Sequence, residues 1–292
     1  VLAAIQAQWR PLRAELFTRL MLLDLSNPRL LIGQSFRGGR PDPSCWTAPV
    51  PARTCRHGVP VAVDALGDFI GDLLLEHSAP DVGVVVALPR QLGHWCVIEW
   101  PDGHEPEEAA DVLREERLDL GWPFPLDAAS LAVQPLAAAP GCSLVVASSA
   151  EAVEGWVETF AIAGAVLRHL IPAQACLHLA MRQHLEQHAA DELVALLQPD
   201  QDGCTLLVWR DGVPEFERQL PAETDALLPA LSQALGFCRS RLGGGSIRLL
   251  LGEALETAPA LAEQLGLQLD VLEHGEYGSP HLAGLGELVL AR

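Results

Sequence analysis

Lysine is absent from this chain of 292 residues, and all 19 of its basic side chains are arginine. That excludes a P-loop lysine, Schiff-base chemistry and any lysine-based phosphoryl-transfer site. The seven cysteines are scattered, odd in number and never spaced as C-x-x-C. Neither a disulfide framework nor a zinc site fits that spacing, and reduced thiols of a cytosolic protein do. Long apolar runs are missing too: the one over 160–167 stops at Arg168, short of the roughly 18–20 residues of a membrane span. No basic stretch followed by an apolar one opens the chain, so no signal peptide is expected. Positive charge is scarce, with a formal net charge of −19. Without an arginine stripe, phosphate backbones would be repelled, and nucleic acid is not an expected partner.

What is present is apolar: hydrophobic residues make up 49% of the chain, enough for a large core, and the length suits two compact halves. Residues 1–18 carry Leu2, Ile5, Trp9, Leu12 and Leu16 at helical spacing. A strand–turn–strand follows over 20–36, turning at Ser26-Asn27-Pro28-Arg29. The Pro/Gly-rich stretch 37–60 reads as loop and edge strand, 63–75 as an amphipathic helix, and 84–88 as a strand buried on both faces. Next come a strand at 97–100, a charged helix over 105–118, paired strands at 131–136 and 143–148, and a helix over 150–163.

After Gly164 the pattern restarts, with a strand at 166–171, a helix over 173–190 and a strand at 193–197. A hairpin turns at Asp211-Gly212, and a helix over 224–241 ends at Gly243. A strand (247–251), a helix (258–265) and a strand (267–272) follow, and Leu288-Val289-Leu290 reads as strand-like. The order predicts a duplicated α/β architecture with an α+β insertion in its first half. The expected boundaries are an N-terminal helix at 1–19, a first half at 20–83, an inserted subdomain at 84–164 and a second half at 165–292.

Glu99-Trp100-Pro101, Glu107-Glu108, Glu115-Glu116 and Trp122-Pro123-Phe124-Pro125-Leu126-Asp127 resemble the inserted subdomain of the type IV pilus assembly protein PilM family, where an E-x-P strand end leads to a Glu-rich helix and a P-F-P-L turn. Ser143–Ser148, then Glu151, Val157 and Gly164, resemble the strand and helix that follow it there. The resemblance runs from about Leu20 to Arg292. It implies an actin-like, ribonuclease H-like duplicated two-domain fold with nucleotide held between the halves. It also implies a place in the inner-membrane pilus platform, holding the N-terminal tail of a PilN-like membrane protein beside the inserted subdomain and working with pilus motor ATPases. The expected location is cytoplasmic, peripheral to the inner membrane through partners.

Phosphate loops need small residues so that backbone N–H groups can approach the oxygens. Against the family's D-I-G-S-S-S-like first loop stands Asp24-Leu25-Ser26-Asn27-Pro28-Arg29, with a serine for the glycine and a proline that removes a donor. Asp24 has a bland reading as a turn aspartate and a functional one as a metal-water ligand. The second loop aligns with Gln198-Pro199-Asp200, replacing the metal-side aspartate by Gln198 and the glycine by Asp200, and the adenine-side loop becomes Leu251-Gly252-Glu253-Ala254. The expectation is a pseudo-ATPase with no resident cofactor or metal. Asp24, Ser26 and Asn27 would be the remnant of its first loop, leaving at most weak binding of ATP with magnesium.

His178, His184 and His188 lie on one expected helix without partner cysteines, so a solvated face is expected rather than a zinc site. The pairs Cys55/His57 and His94/Cys96 lack an orienting group and an oxyanion hole. The acidic helix at 105–118 reads as a solvated face or as a docking surface for a basic partner. The aromatics around it read as core or as a binding groove, and the partner-binding candidates are Trp100, Glu107, Glu108 and Phe124. Two alternatives share the fold. One is a GspL-like cytoplasmic domain of type II secretion, disfavoured because no span follows residue 290. The other is an active kinase or ATPase, which the second loop argues against.

Overall fold

A computed structural model describes residues 19–77, 82–116, 120–186, 192–200, 202–243, 245–255 and 257–290. The helix expected over 1–18 lies outside them, as do residues 117–118 and 187–190 of two other expected helices.

Two five-stranded sheets repeat one plan. In the first, β1 (Leu20–Asp24) pairs antiparallel with β2 (Leu30–Arg37), which pairs antiparallel with β3 (Arg40–Pro49). On its other side β1 runs parallel to β6 (Gly83–Leu88), and β6 to β10 (Val166–Pro172), giving the order β10-β6-β1-β2-β3, while β4 (Cys55–Arg56) and β5 (Val59–Pro60) pair as a separate two-stranded ribbon. In the second, β11 (Glu192–Asp200), β12 (Gly203–Arg210) and β13 (Val213–Leu220) form the same antiparallel meander. There β14 (Ser246–Leu251) and β15 (Leu269–Val271) supply the parallel side. The central strands β1 and β6 are buried along their whole length, which is why they read as continuous apolar runs rather than alternating ones. Asp211 and Gly212, at φ 52° and 80°, make the two-residue turn that joins β12 to β13.

Successive side chains of β1 point to opposite faces. Met21 and Leu23 pack with Ile70 of α1 (Val63–Glu76) and with Trp156 and Phe160 of α3 (Ala150–Ile162). Leu20 and Leu22 pack with Cys176 of α4 (Ala173–Glu186) and with Leu282 and Leu285 of α7 (Pro280–Leu290). Leu177 and Met181 of α4 face the other way, onto Val194, Leu196 and Trp209 of the second sheet. Helix α4 is therefore sandwiched between the sheets. The outer face of the second sheet is covered by α5 (Thr224–Leu242) and α6 (Ala258–Leu265).

Between β6 and β10 the chain leaves the first sheet. There β7 (His94–Glu99), β8 (Ala129–Pro135) and β9 (Cys142–Ser149) form a separate antiparallel sheet of order β7-β9-β8, carrying the short α2 (Ala109–Glu115). The insertion is thus narrower than the expected 84–164. β6 belongs to the first sheet by its pairing with β1, and α3 packs against α1. The second half does not begin at 165, because β10 hydrogen-bonds to β6 and α7 covers the first sheet.

Residues 288–290 also differ from expectation, lying in α7 rather than in a strand. Leu282, Leu285, Leu288 and Val289 pack on one core, the helical spacing of the segment. Ser279 caps the helix by accepting from Leu282 N at 3.2 Å, and Pro280 follows.

Candidate functional site

The C-terminal end of β1 and the turn of β11–β12 face each other across a cleft of about 390 Å³. Asp24, Ser26 and Asn27 line it together with Gln198, Asp200 and Glu253, so the three loops separated in sequence meet here. Asp24 is 2% exposed. Its Oδ1 accepts from Ser26 N at 2.9 Å, and its Oδ2 accepts from Ser279 Oγ at 2.6 Å. His281 Nδ1 stands 3.2 Å from the same Oδ2 and 3.2 Å from Ser26 Oγ. Burial pushes the Asp24 carboxyl up, but His281 and the hydrogen bonds from Ser26 and Ser279 outweigh it together and hold the pKa at about 2. Asn27 Oδ1 accepts from Arg29 N at 2.9 Å and shapes the turn.

Sequence reasoning missed Ser279 and His281, which lie 255 residues beyond their partners. The signal for the helix start was present: Ser-Pro ahead of helically spaced leucines is an N-cap followed by a first-turn proline.

On the opposite wall Asp200 is tied into its own hairpin. It accepts from Thr205 Oγ1 at 2.9 Å, from Gln219 Nε2 at 3.0 and 3.1 Å and from Asp202 N at 2.9 Å, with Arg90 Nε at 3.9 Å. Gln198 Nε2 donates to Pro199 O at 3.1 Å and to Glu253 at 3.4 Å. Its Oε1 lies 1.8 Å from where a Cβ on Gly252 would sit. The remaining glycine of the third loop thus accommodates the chain's own glutamine. Arg90 and His281 are the basic residues lining the cleft, and both are engaged: Arg90 Nη1 donates to Glu217 at 3.2 Å.

A second concavity, about 850 Å³, opens between the edge strands β7 and β13. Trp95, Trp122, Pro214 and Phe216 line it. At its base Glu217 accepts from Arg90, Trp95 Nε1 and Gln174 Nε2. Of the partner-binding candidates, Trp100 is a correction. It is 5% exposed in the core of the small sheet, and its Nε1 donates to Ser143 Oγ at 2.8 Å, so it presents no face to a partner. Phe124 is half-buried, its ring edge-on to His94 at 5.2 Å. Glu107 and Glu108 are exposed just before α2, which is shorter than the helix expected there. Burial pushes the Cys55 and Cys96 thiols up to about 11, so neither is a thiolate at neutral pH. Among the described residues no group of three or more His, Cys, Asp or Glu is placed to hold a metal ion, and no helix is long and apolar enough to cross a membrane.

No family model matches the chain, and no curated protein matches it in sequence. Among solved structures, a PilM-PilN type IV pilus biogenesis complex is similar over 94% of this chain and 98% of its own, at 20% identity and a TM-score of 0.72. A Bacteroides thetaiotaomicron protein with an actin-like ATPase fold and unknown function is similar over 94% of this chain and 97% of its own (10% identity, TM-score 0.55). So is the cytoplasmic domain of EpsL, an inner-membrane component of the Vibrio cholerae type II secretion system, over 94% and 96% (13% identity, TM-score 0.54). The fold is actin-like, as expected from the resemblance.

Proposed function

We propose that this protein is a non-catalytic adaptor of a type IV pilus assembly platform, holding the extended N-terminal tail of a PilN-like membrane protein. The groove between β7 and β13 carries the reading. Both strands are sheet edges with hydrogen-bonding groups to offer, and an extended peptide pairs with such an edge while its side chains enter pockets. The aromatic side chains of the groove suit alternate apolar residues of such a tail. The likeness in fold to a PilM-PilN complex supports the choice of partner.

The cleft favours an adaptor over an ATPase. Magnesium and phosphates would have to displace His281 and Ser279 from Asp24, and the opposite wall adds the carboxylates Asp200 and Glu253. Cytoplasmic placement at the inner membrane follows from the partner, and Glu107 and Glu108 offer negative charge to a basic surface of a motor ATPase. Fluorescence anisotropy with a labelled PilN-like N-terminal peptide tests the reading. Saturable binding that a charge reversal in the groove (Arg218→Glu) alters is expected, and no binding at millimolar protein would sink it. Titration calorimetry with Mg-ATP should give no heat at micromolar concentrations.

The likeness to the EpsL cytoplasmic domain favours a second reading, a type II secretion component with the same fold. Preference for the tail of a secretion partner over the PilN-like tail would select it.

A further inference from the structure

The cleft between the two sheets is short of positive charge. Asp24, Asp200 and Glu253 line it, against Arg90 and His281. Arg90 Nη1 already meets a further carboxylate, that of Glu217, at 3.2 Å. A concave wall of one charge focuses the field, so a cation is drawn in and an anion is turned away. Charge alone makes no site, but His281 adds an oriented group.

His281 is 6% exposed and lines the cleft. Its Nδ1 stands 3.2 Å from Asp24 Oδ2. An ionised carboxylate only accepts, so Nδ1 carries the proton, and in the neutral ring Nε2 is then the acceptor. Nε2 makes no hydrogen bond among the described residues, so Asp24 fixes a tautomer whose lone pair is left for the cleft. On the opposite wall Gln198, 3% exposed, has its Oε1 without a hydrogen-bond partner. Glu253 beside it is exposed, its bond from Gln198 Nε2 a long 3.4 Å. Helix α4 lies between the sheets, and its Ala173 and Leu177, with Ile32 of β2, give the cleft an apolar lining.

Acceptors on both walls, an excess of carboxylates and an apolar lining complement a chain of methylenes with N–H donors at its ends. We propose that the cleft binds an aliphatic diamine or polyamine, one ammonium donating to His281 Nε2 beside Asp24 and another facing Glu253 and Asp200. A volume of about 390 Å³ suits a small ligand of that kind. The inference goes beyond the adaptor reading and does not depend on it, since the tail's groove is the other concavity.

The test is calorimetric titration of the full chain with spermidine at about pH 8 and about 0.15 M salt, with magnesium chloride as competitor. One saturable site is expected. His281→Asn, which keeps an N–H for Asp24 but has no group at the place of Nε2, should weaken binding about tenfold, and Glu253→Gln about threefold. ¹⁵N NMR of the histidines should show Nδ1–H with a bare Nε2 in the free protein, and that Nε2 resonance should move at saturating spermidine. Absence of saturable binding, binding that neither variant weakens (diffuse attraction to an acidic surface) or displacement by magnesium would overturn the inference. So would a ring protonated at Nε2, or an Nε2 resonance unmoved at saturation. None of these results touches tail binding, which is measured separately. Should His281→Asn fail to fold, the NMR titration of the wild type decides alone.

Discussion

A buried carboxylate with a depressed pKa links folding to pH. Asp24 titrates at about 2 in the folded protein against 3.8 ordinarily. Its contribution is present above the unfolded value and is lost as pH falls from there through about 2, and it amounts to roughly 2 kcal/mol. His178 acts in an earlier window. Its folded pKa of about 4 lies below the ordinary 6.5, so the unfolded chain takes up a proton first as pH falls. Stability should drop by about 3 kcal/mol between those two values. Urea unfolding from pH 7 to pH 2 should therefore show two acid-dependent steps. His178→Leu should shrink the upper step, leaving the smaller part that burial of His94 contributes, and Asp24→Asn should shrink the lower, each leaving the other in place. A single step surviving in both variants would mean that neither group is held as described.

At the scale of elements, helix approach decides what a glycine is worth. Gly67 in α1 faces α3 so closely that a Cβ would lie 2.6 Å from Ile162 Cγ2 and 2.9 Å from the Thr159 carbonyl oxygen. The side chain can yield but the backbone cannot. Gly67→Ala should therefore destabilise by about 1–3 kcal/mol, even though alanine is the better helix former by about 1 kcal/mol. Gly236 in α5 has nothing within 4 Å of its would-be Cβ, and Gly236→Ala should stabilise by up to about 1 kcal/mol. Thermal melts of the two variants should move in opposite directions. The elements themselves were largely legible in the sequence, because α1 carries a helical apolar stripe and β1 and β6 are short apolar runs bounded by turns. Helix α7 was not, because Leu288-Val289-Leu290 viewed alone is β-like, and its helical spacing emerges only when the reading starts from Ser279. Which glycine meets a neighbour depends on inter-helix distance, which no local pattern encodes.

For the whole molecule, the sequence order implied two similar halves, but not which strands close each sheet. β6 and β10 pair although the small sheet intervenes between them in the chain, so a boundary drawn where the composition shifts cuts the first sheet. The convergence of Asp24, Gln198 and Glu253 on one cleft was legible only through the family resemblance, and their links to Ser279, His281 and Gly252 were not legible at all. The same holds for Glu217, which no sequence motif marked. This carboxylate on β13 accepts from Arg90, which follows β6, from Gln174 of α4 and from Trp95 of the small sheet, tying these parts of the molecule together at the base of the groove. Glu217→Ala removes all three bonds and leaves the Trp95 indole N–H without its acceptor, a cost of about 2–4 kcal/mol. The sheets' own ladders are untouched, so the loss should appear as local opening rather than as global unfolding. Hydrogen exchange should quicken along β7 and β13 while β1, β6 and β11 keep their protection, and tail affinity should fall with the groove's rigidity. Unchanged exchange along β7 would show that the small sheet is held in place by other contacts.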